Sequence, residues 1–183
     1  MNSLASRSQL RSSLIRWALV TVPAVLLLGY LSGQIGGGAD TPWFQSLEKP
    51  AIFPPPATFG IVWTILYAMM GLALALVCAA RGARRRGLAI TLFIIQLSLN
   101  LAWTPLFFGA QQITGALILL LVLDIAVIAT VIVFFRVRRP AGWLLVPYLA
   151  WVLFATVLNW QFLRLNPEAD GAGATGAAER VDL

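Results

Sequence analysis

The chain has 183 residues, 60% of them apolar and only 11% charged, against about a quarter charged in an ordinary soluble domain. Its charges sit in short clusters and leave uncharged runs too long for one core to hide, which excludes a water-soluble globule and requires lipid. The net charge of +6 comes from arginines at the ends of apolar segments, where topology is set; no basic face interleaved with aromatics lies outside them, which argues against a nucleic-acid partner.

A spanning helix needs roughly 20 mostly apolar residues. Residues 1–16 form a Ser- and Arg-rich basic segment without acids. Trp17 to Ile35 is uncharged and makes the first span, retained rather than cleaved as a leader, with Gly29 and Gly33 at a helix-packing spacing. The connection from Gly36 to Ala57 holds Trp43-Phe44, Leu47-Glu48-Lys49-Pro50 and Pro54-Pro55-Pro56. So long a connection, with aromatics beside a rigid proline turn, reads as a lid. The second span starts near Thr58 and ends at Ala80, with Gly71, Ala75 and Ala79 forming a small-residue ridge fit for another helix or a second subunit. Gly87 to Phe108 is the third span; Gly109-Ala110-Gln111-Gln112 breaks the run before a fourth, Ile113 to Phe135, and the fifth runs from Ala141 to Leu163. Kinks are expected at Pro23, Pro105 and Pro147. From Pro167 the chain turns to Ala, Gly and acidic residues and is expected to be a disordered tail. The reading is an all-α integral membrane bundle of five transmembrane helices over residues 17–165, flanked by the basic segment 1–16 and a tail, 166–183.

Five spans put the termini on opposite sides. Ten arginines fall on the N-terminal side: Arg7, Arg11, Arg16, Arg81, Arg84, Arg85, Arg86, Arg136, Arg138 and Arg139. The other side carries Lys49, Arg164 and Arg180 among six acids. The positive-inside rule then expects a multi-pass protein of a bacterial cell membrane with its N-terminus in the cytoplasm.

Helical phase gives the inward faces. Phe59, Trp63, Tyr67 and Met70 share one face of the second span; Gln96, Asn100, Trp103 and Phe107 share one of the third; Tyr148, Trp151, Ala155, Asn159 and Phe162 share one of the fifth. Amides in hydrocarbon must face protein or a cavity, so the three faces converge. Trp63, Trp103 and Trp160 fall in the half beneath the lid, with Asn100 and Trp151 near the midplane. An interfacial aromatic belt accounts for Trp17, Trp143 and Trp160 but not for Trp103 or Trp151 at depth, which favours a ligand pocket. Asp124 is the one charge well inside a span, so it faces inward. It could touch a ligand, relay a proton or hydrogen-bond a neighbouring helix; the last is favoured, since no basic partner lies at that depth. With no histidine and Cys78 the only cysteine, there is no metal-site spacing and no intramolecular disulfide. No phosphate-binding glycine loop and no nucleophile paired with a base is visible, so neither a cofactor nor catalytic residues are expected.

These segments resemble the TspO/MBR family, the tryptophan-rich sensory proteins related to the mitochondrial translocator protein. The likeness rests on Trp43-Phe44, Leu47-Glu48-Lys49-Pro50, Pro54-Pro55, Phe59-Gly60, Val62-Trp63, Leu66-Tyr67 and Met70-Gly71 in the first half. It continues through Gln96, Leu99-Asn100, Trp103, Phe107-Phe108-Gly109, Val146-Pro147-Tyr148-Leu149-Ala150-Trp151, Phe154-Ala155-Thr156 and Leu158-Asn159, in order, over about residues 17–165. The resemblance implies five helices, a first loop folded over a pocket, homodimers, and binding of porphyrins or other flat apolar molecules. Carried over by motif, it places Trp43, Asn100, Trp103, Trp151, Ala155 and Leu158 at that pocket, with Trp63 and Tyr67 beside them; Asp124, Tyr148 and Asn159 join them from the inward faces. Ile52 stands where many relatives have an aromatic and Phe44 where a tyrosine is frequent. Trp160 stands where the animal sterol motif requires a tyrosine, so sterol binding is not expected. A sensor or carrier for tetrapyrroles is the leading expectation, ahead of transmembrane transport, light-driven porphyrin degradation and a purely structural partner role.

Overall fold

The computed structural model describes residues 7–35 and 37–171. It contains six α-helices: α1 (Arg7–Gln34), α2 (Pro42–Ser46), α3 (Pro56–Ala79), α4 (Arg86–Thr104), α5 (Ile113–Val137) and α6 (Arg139–Leu165), with no strand among the described residues. All but α2 are long and apolar enough to cross a membrane, so the five expected spans are present. The α1 helix starts ten residues before the expected span, taking in much of the basic segment, because nothing in Ser- and Arg-rich sequence breaks a helix. The α3 helix starts at Pro56 rather than near Thr58, since a proline in the first turn lacks only an N–H that would be unpaired there anyway. The reversal between α3 and α4 needs positive φ at Gly82 (77°) and Arg85 (69°).

The α5 helix packs between α4 and α6, α6 closes on α3, and α1 lies along α3. Leu19 and Val20, Ile61 and Ile65, Ile94, Ile118 and Ile125, and Val157 stay exposed on the outer faces. Such a surface is stable only against acyl chains. The ridge on α3 is occupied from within the chain. A Cβ at Gly71 would stand 2.6 Å from the Val22 Cα, and the Thr21 hydroxyl donates to the Gly71 carbonyl at 2.7 Å.

Two prolines, Pro23 and Pro147, sit inside continuous helices. Pro105 changes the winding: residues Pro105–Gly109 form a π turn, with the Ala110 N–H donating to the Pro105 carbonyl at 2.9 Å. A proline at 105 has no N–H for the carbonyl of Leu101. That freed carbonyl accepts instead from the Ser32 hydroxyl of α1 at 2.6 Å. One missing proton thereby fastens α1 to α4.

The arginine-side half is solid, built around Met70, Phe93, Phe134 and Leu145. The opposite half is capped by a second cluster in which Phe44 and Leu47 of the first loop meet Phe107, Ile113, Leu158 and Phe162. Residues 167–171, assigned to the disordered tail on composition, are ordered and docked. Pro167–Ala169 form a 3-10 turn, and Asp170 Oδ1 accepts from the N–H groups of Ile113 and Thr114 at 2.7 and 3.1 Å, capping α5. The rest of the tail and residues 1–6 lie outside the described residues.

Candidate functional site: a lidded aromatic cavity

A cavity of about 380 Å³ opens between the helices at the lid end. From α3 it is lined by Phe59, Trp63 and Tyr67, from α4 by Asn100 and Trp103, and from α6 by Trp151, Ala155, Leu158 and Asn159. These are the three faces named from helical phase. No charged side chain is in the lining.

The rings are held rather than loose. Trp103 stacks on Phe107 with centroids 4.9 Å apart and planes 18° apart, and Trp63 stacks on Tyr67 at 5.2 Å and 28°. Phe107 follows Trp103 by four residues, so its ring lies one turn on from the indole on the same face. Trp103 Nε1 donates to Asn159 Oδ1 at 3.2 Å, and Asn159 Nδ2 donates to the Ile113 carbonyl at 3.0 Å. The Tyr67 hydroxyl donates to Asn100 Oδ1 at 2.8 Å. Each bond joins different helices, so the amides fix ring positions across the bundle.

The lid is the first loop. Thr41 caps α2 through a hydrogen bond from the Phe44 N–H at 3.3 Å, and Phe44 plugs the cavity mouth among Phe53, Phe107, Phe108 and Phe162. Lys49 folds back, its Nζ donating to the Phe44 and Leu47 carbonyls and lying 4.5 Å from the Phe44 ring centroid. Partial burial there pushes its pKa below the ordinary lysine value. The lid is clasped to the end of α6. The Glu48 N–H donates to Asn166 Oδ1 at 2.7 Å, Asn166 Nδ2 donates to the Glu48 carbonyl at 3.0 Å, and Trp43 Nε1 donates to the Ala169 carbonyl at 3.2 Å.

Eight of the eleven residues singled out from sequence line the cavity: Trp63, Tyr67, Asn100, Trp103, Trp151, Ala155, Leu158 and Asn159. Three do not. Trp43 lies outside the wall, edge-on to Phe107 at 5.5 Å, because its N–H is drawn to Ala169 and Phe44 takes the inward position. Tyr148 is fully buried below the floor, its hydroxyl donating to Gln96 Oε1 at 2.7 Å. Asp124 is turned to the α5–α6 seam, where Oδ2 accepts from the Thr156 hydroxyl at 2.9 Å, the helix-to-helix bond favoured from sequence. The sequence reading overlooked the α1 contribution. Gly29 and Gly33, taken as a packing pair, both line the cavity but differ in what faces them: a Cβ at Gly29 would strike the Tyr67 ring at 2.2 Å, whereas Gly33 has open space before it.

The sequence profile of the TspO/MBR family matches residues 19–165 of this chain. The chain belongs to the TspO/MBR family. Among relatives, the tryptophan-rich protein TspO of Chlorobaculum tepidum is 44% identical over 126 residues, covering 68% of this chain and 80% of its own length. The tryptophan-rich sensory protein of Cereibacter sphaeroides is 41% identical over 130 residues, 69% of this chain and 80% of that one. The human translocator protein is 40% identical over 139 residues, 75% of this chain and 82% of that one. With five apolar helices, this TspO/MBR member is a multi-pass membrane protein.

Proposed function

We propose that this protein binds flat, ring-rich ligands of the porphyrin type within the bilayer and acts as a sensor or carrier for them. The observation that carries this reading is the uncharged aromatic cavity of about 380 Å³ closed by an aromatic plug. Its volume lies in the range of small-molecule sites, which are mostly apolar with a few placed polar groups. Indole and phenyl faces offer large contact area with ring-stacking geometry, which suits a planar conjugated ligand. An uncharged wall admits the ring system and leaves ionised substituents at the mouth, in water. Phe44 of the first loop is part of the cavity lining, so a bound ligand would touch the lid, which links binding to lid position as a sensor or a carrier requires. The printed names of relatives, sensory protein and translocator protein, agree with this reading.

Titration of the detergent-solubilised protein with protoporphyrin tests it. Saturable quenching of tryptophan fluorescence is expected, and Trp103→Leu with Trp151→Leu is expected to weaken binding by about tenfold, at about 0.5–1.5 kcal/mol per lost aromatic contact. Equal affinity in the double variant, measured from the porphyrin's own absorbance, would remove the cavity as the binding site.

A further inference from the structure

We propose that the groove between α3 and α6 at the arginine-bearing end is a site for one anionic phospholipid, separate from the lidded cavity. The groove is shallow and largely open to the surroundings. Leu72 and Leu76 of α3 face Leu144 of α6 across it, and Arg139, Pro140 and Trp143 close its outer end. Apolar walls lead to a guanidinium, the sequence in which a phospholipid presents acyl chain and phosphate.

The indole at this end is a fixed wall. Trp143 is 66% exposed, yet its ring is held edge-on by Phe135 at 5.3 Å and 87°. Phe135 can lie that close to α6 because position 142 is glycine, where a Cβ would be 2.4 Å from the phenyl ring. An exposed, oriented tryptophan beside an arginine marks headgroup level.

Charge selects the lipid. Among the described residues this end carries the exposed Arg11, Arg16, Arg81, Arg84, Arg85, Arg136, Arg138 and Arg139 and the half-buried Arg86, with no Asp or Glu, and of these Arg139 lines the groove. A phosphate accepts paired hydrogen bonds from a guanidinium. The quaternary ammonium of a zwitterionic lipid would lie beside Arg139 at an end that has no carboxylate among the described residues to balance it. A second copy of this chain would bring its own arginines against these, so a lipid is the occupant that the charges fit.

The test is native mass spectrometry of the delipidated full-length chain with equimolar phosphatidylglycerol and phosphatidylcholine of the same acyl chains. A one-to-one adduct is expected to favour phosphatidylglycerol. Arg139→Gln should lower its retention roughly fivefold, the weight of one arginine at an anionic membrane surface. Arg164→Gln makes the same charge change at the opposite end, where the guanidinium lies over Trp160, and should leave retention unchanged. Leu76→Trp keeps every arginine but fills the groove, and should lower retention as well; Leu72→Trp, at an exposed position, replaces it if that variant does not fold. Equal retention of the two lipids, an equal loss in Arg164→Gln, or undiminished retention in the groove-filling variant would each overturn the site, the last by leaving only a diffuse basic surface. Protein dimers that carry no lipid at this groove would overturn it in favour of a second copy.

Discussion

Asn166 is one side chain that holds the lid at two points, and its removal tests whether the clasp governs lid position. Asn166→Ala deletes the 2.7 Å bond from the Glu48 N–H and the 3.0 Å bond to the Glu48 carbonyl. Both lie where water can replace them, so each is worth about 0.5–1 kcal/mol, near the lower end of the net range. Together they hold the lid by about 1–2 kcal/mol, and their loss raises the opening equilibrium about 5- to 30-fold. Hydrogen exchange across residues 42–53 reads this directly, since exchange reports local opening. The informative amides are not Glu48, which loses its acceptor in the variant, but Leu47 and Phe53. Their partners, the Phe44 and Pro50 carbonyls, belong to the lid itself and are untouched by the substitution. Acceleration at those two amides means that losing the clasp loosens the turns of the lid itself, beyond the residue that lost its partner. Asn166→Asp, which can still accept from Glu48, should fall between the wild type and alanine. Faster exchange confined to Glu48 would refute the argument, leaving the lid held by the Phe44 ring cluster alone.

Gly71→Ala should lower thermal stability by about 1–3 kcal/mol, because the new methyl meets α1 backbone at 2.6 Å and no side chain can move aside; an unchanged melting temperature in detergent would contradict the α1–α3 contact. Ser32→Ala should cost about 1 kcal/mol by orphaning the Leu101 carbonyl. The same substitution in a Pro105→Ala background should cost almost nothing, since alanine returns the N–H that the proline withholds; a double-mutant cycle of unfolding midpoints checks the difference. Gly33→Leu should occupy cavity wall without a clash, so ligand affinity should fall at least tenfold while the melting temperature holds, and loss of both together would mean that Gly33 is packed.

The spans were legible because lipid imposes a simple rule: length and absence of charge decide the element, and only prolines and glycines interrupt it. The inward faces were legible for a related reason. A polar amide in hydrocarbon has few permitted directions, so Gln96, Asn100 and Asn159 orient their helices, and Trp103, one turn from Asn100, and Trp151, on the same face as Asn159, follow. What escaped the sequence depended on choices between near-equal partners. Trp43 and Phe44 are adjacent aromatics on a short helix, and only one can point inward; the phenyl does, while the indole N–H goes to Ala169. Gly29 and Gly33 have identical side chains and differ only in what stands opposite. The docked segment after Pro167 has no apolar period to announce it, because its attachment is polar and made by Asn166 and Asp170.

The same polar economy explains how the walls of the hollow hold their shape between five helices. A cavity in an apolar core invites collapse, because its walls lack contacts on one side. Here the atoms that could rearrange to fill it are already committed: the Trp103 N–H to Asn159, the Asn159 amide to the Ile113 carbonyl, and the Tyr67 hydroxyl to Asn100. Moving the Trp103 indole or the Tyr67 ring inward would break one of these bonds, and a buried polar group left unpaired is costly. The ring stacks add the cost of losing planar contact. Asn100 and Asn159 therefore act first as struts between helices. The proposed ligand would then be selected by the shape and aromatic character of the cavity more than by its hydrogen bonds, and Asp124 stands outside the lining. Its Oδ1 is buried beside Leu123 in the sequence, has no partner among the described residues, and lies just beneath the cavity wall rather than in it.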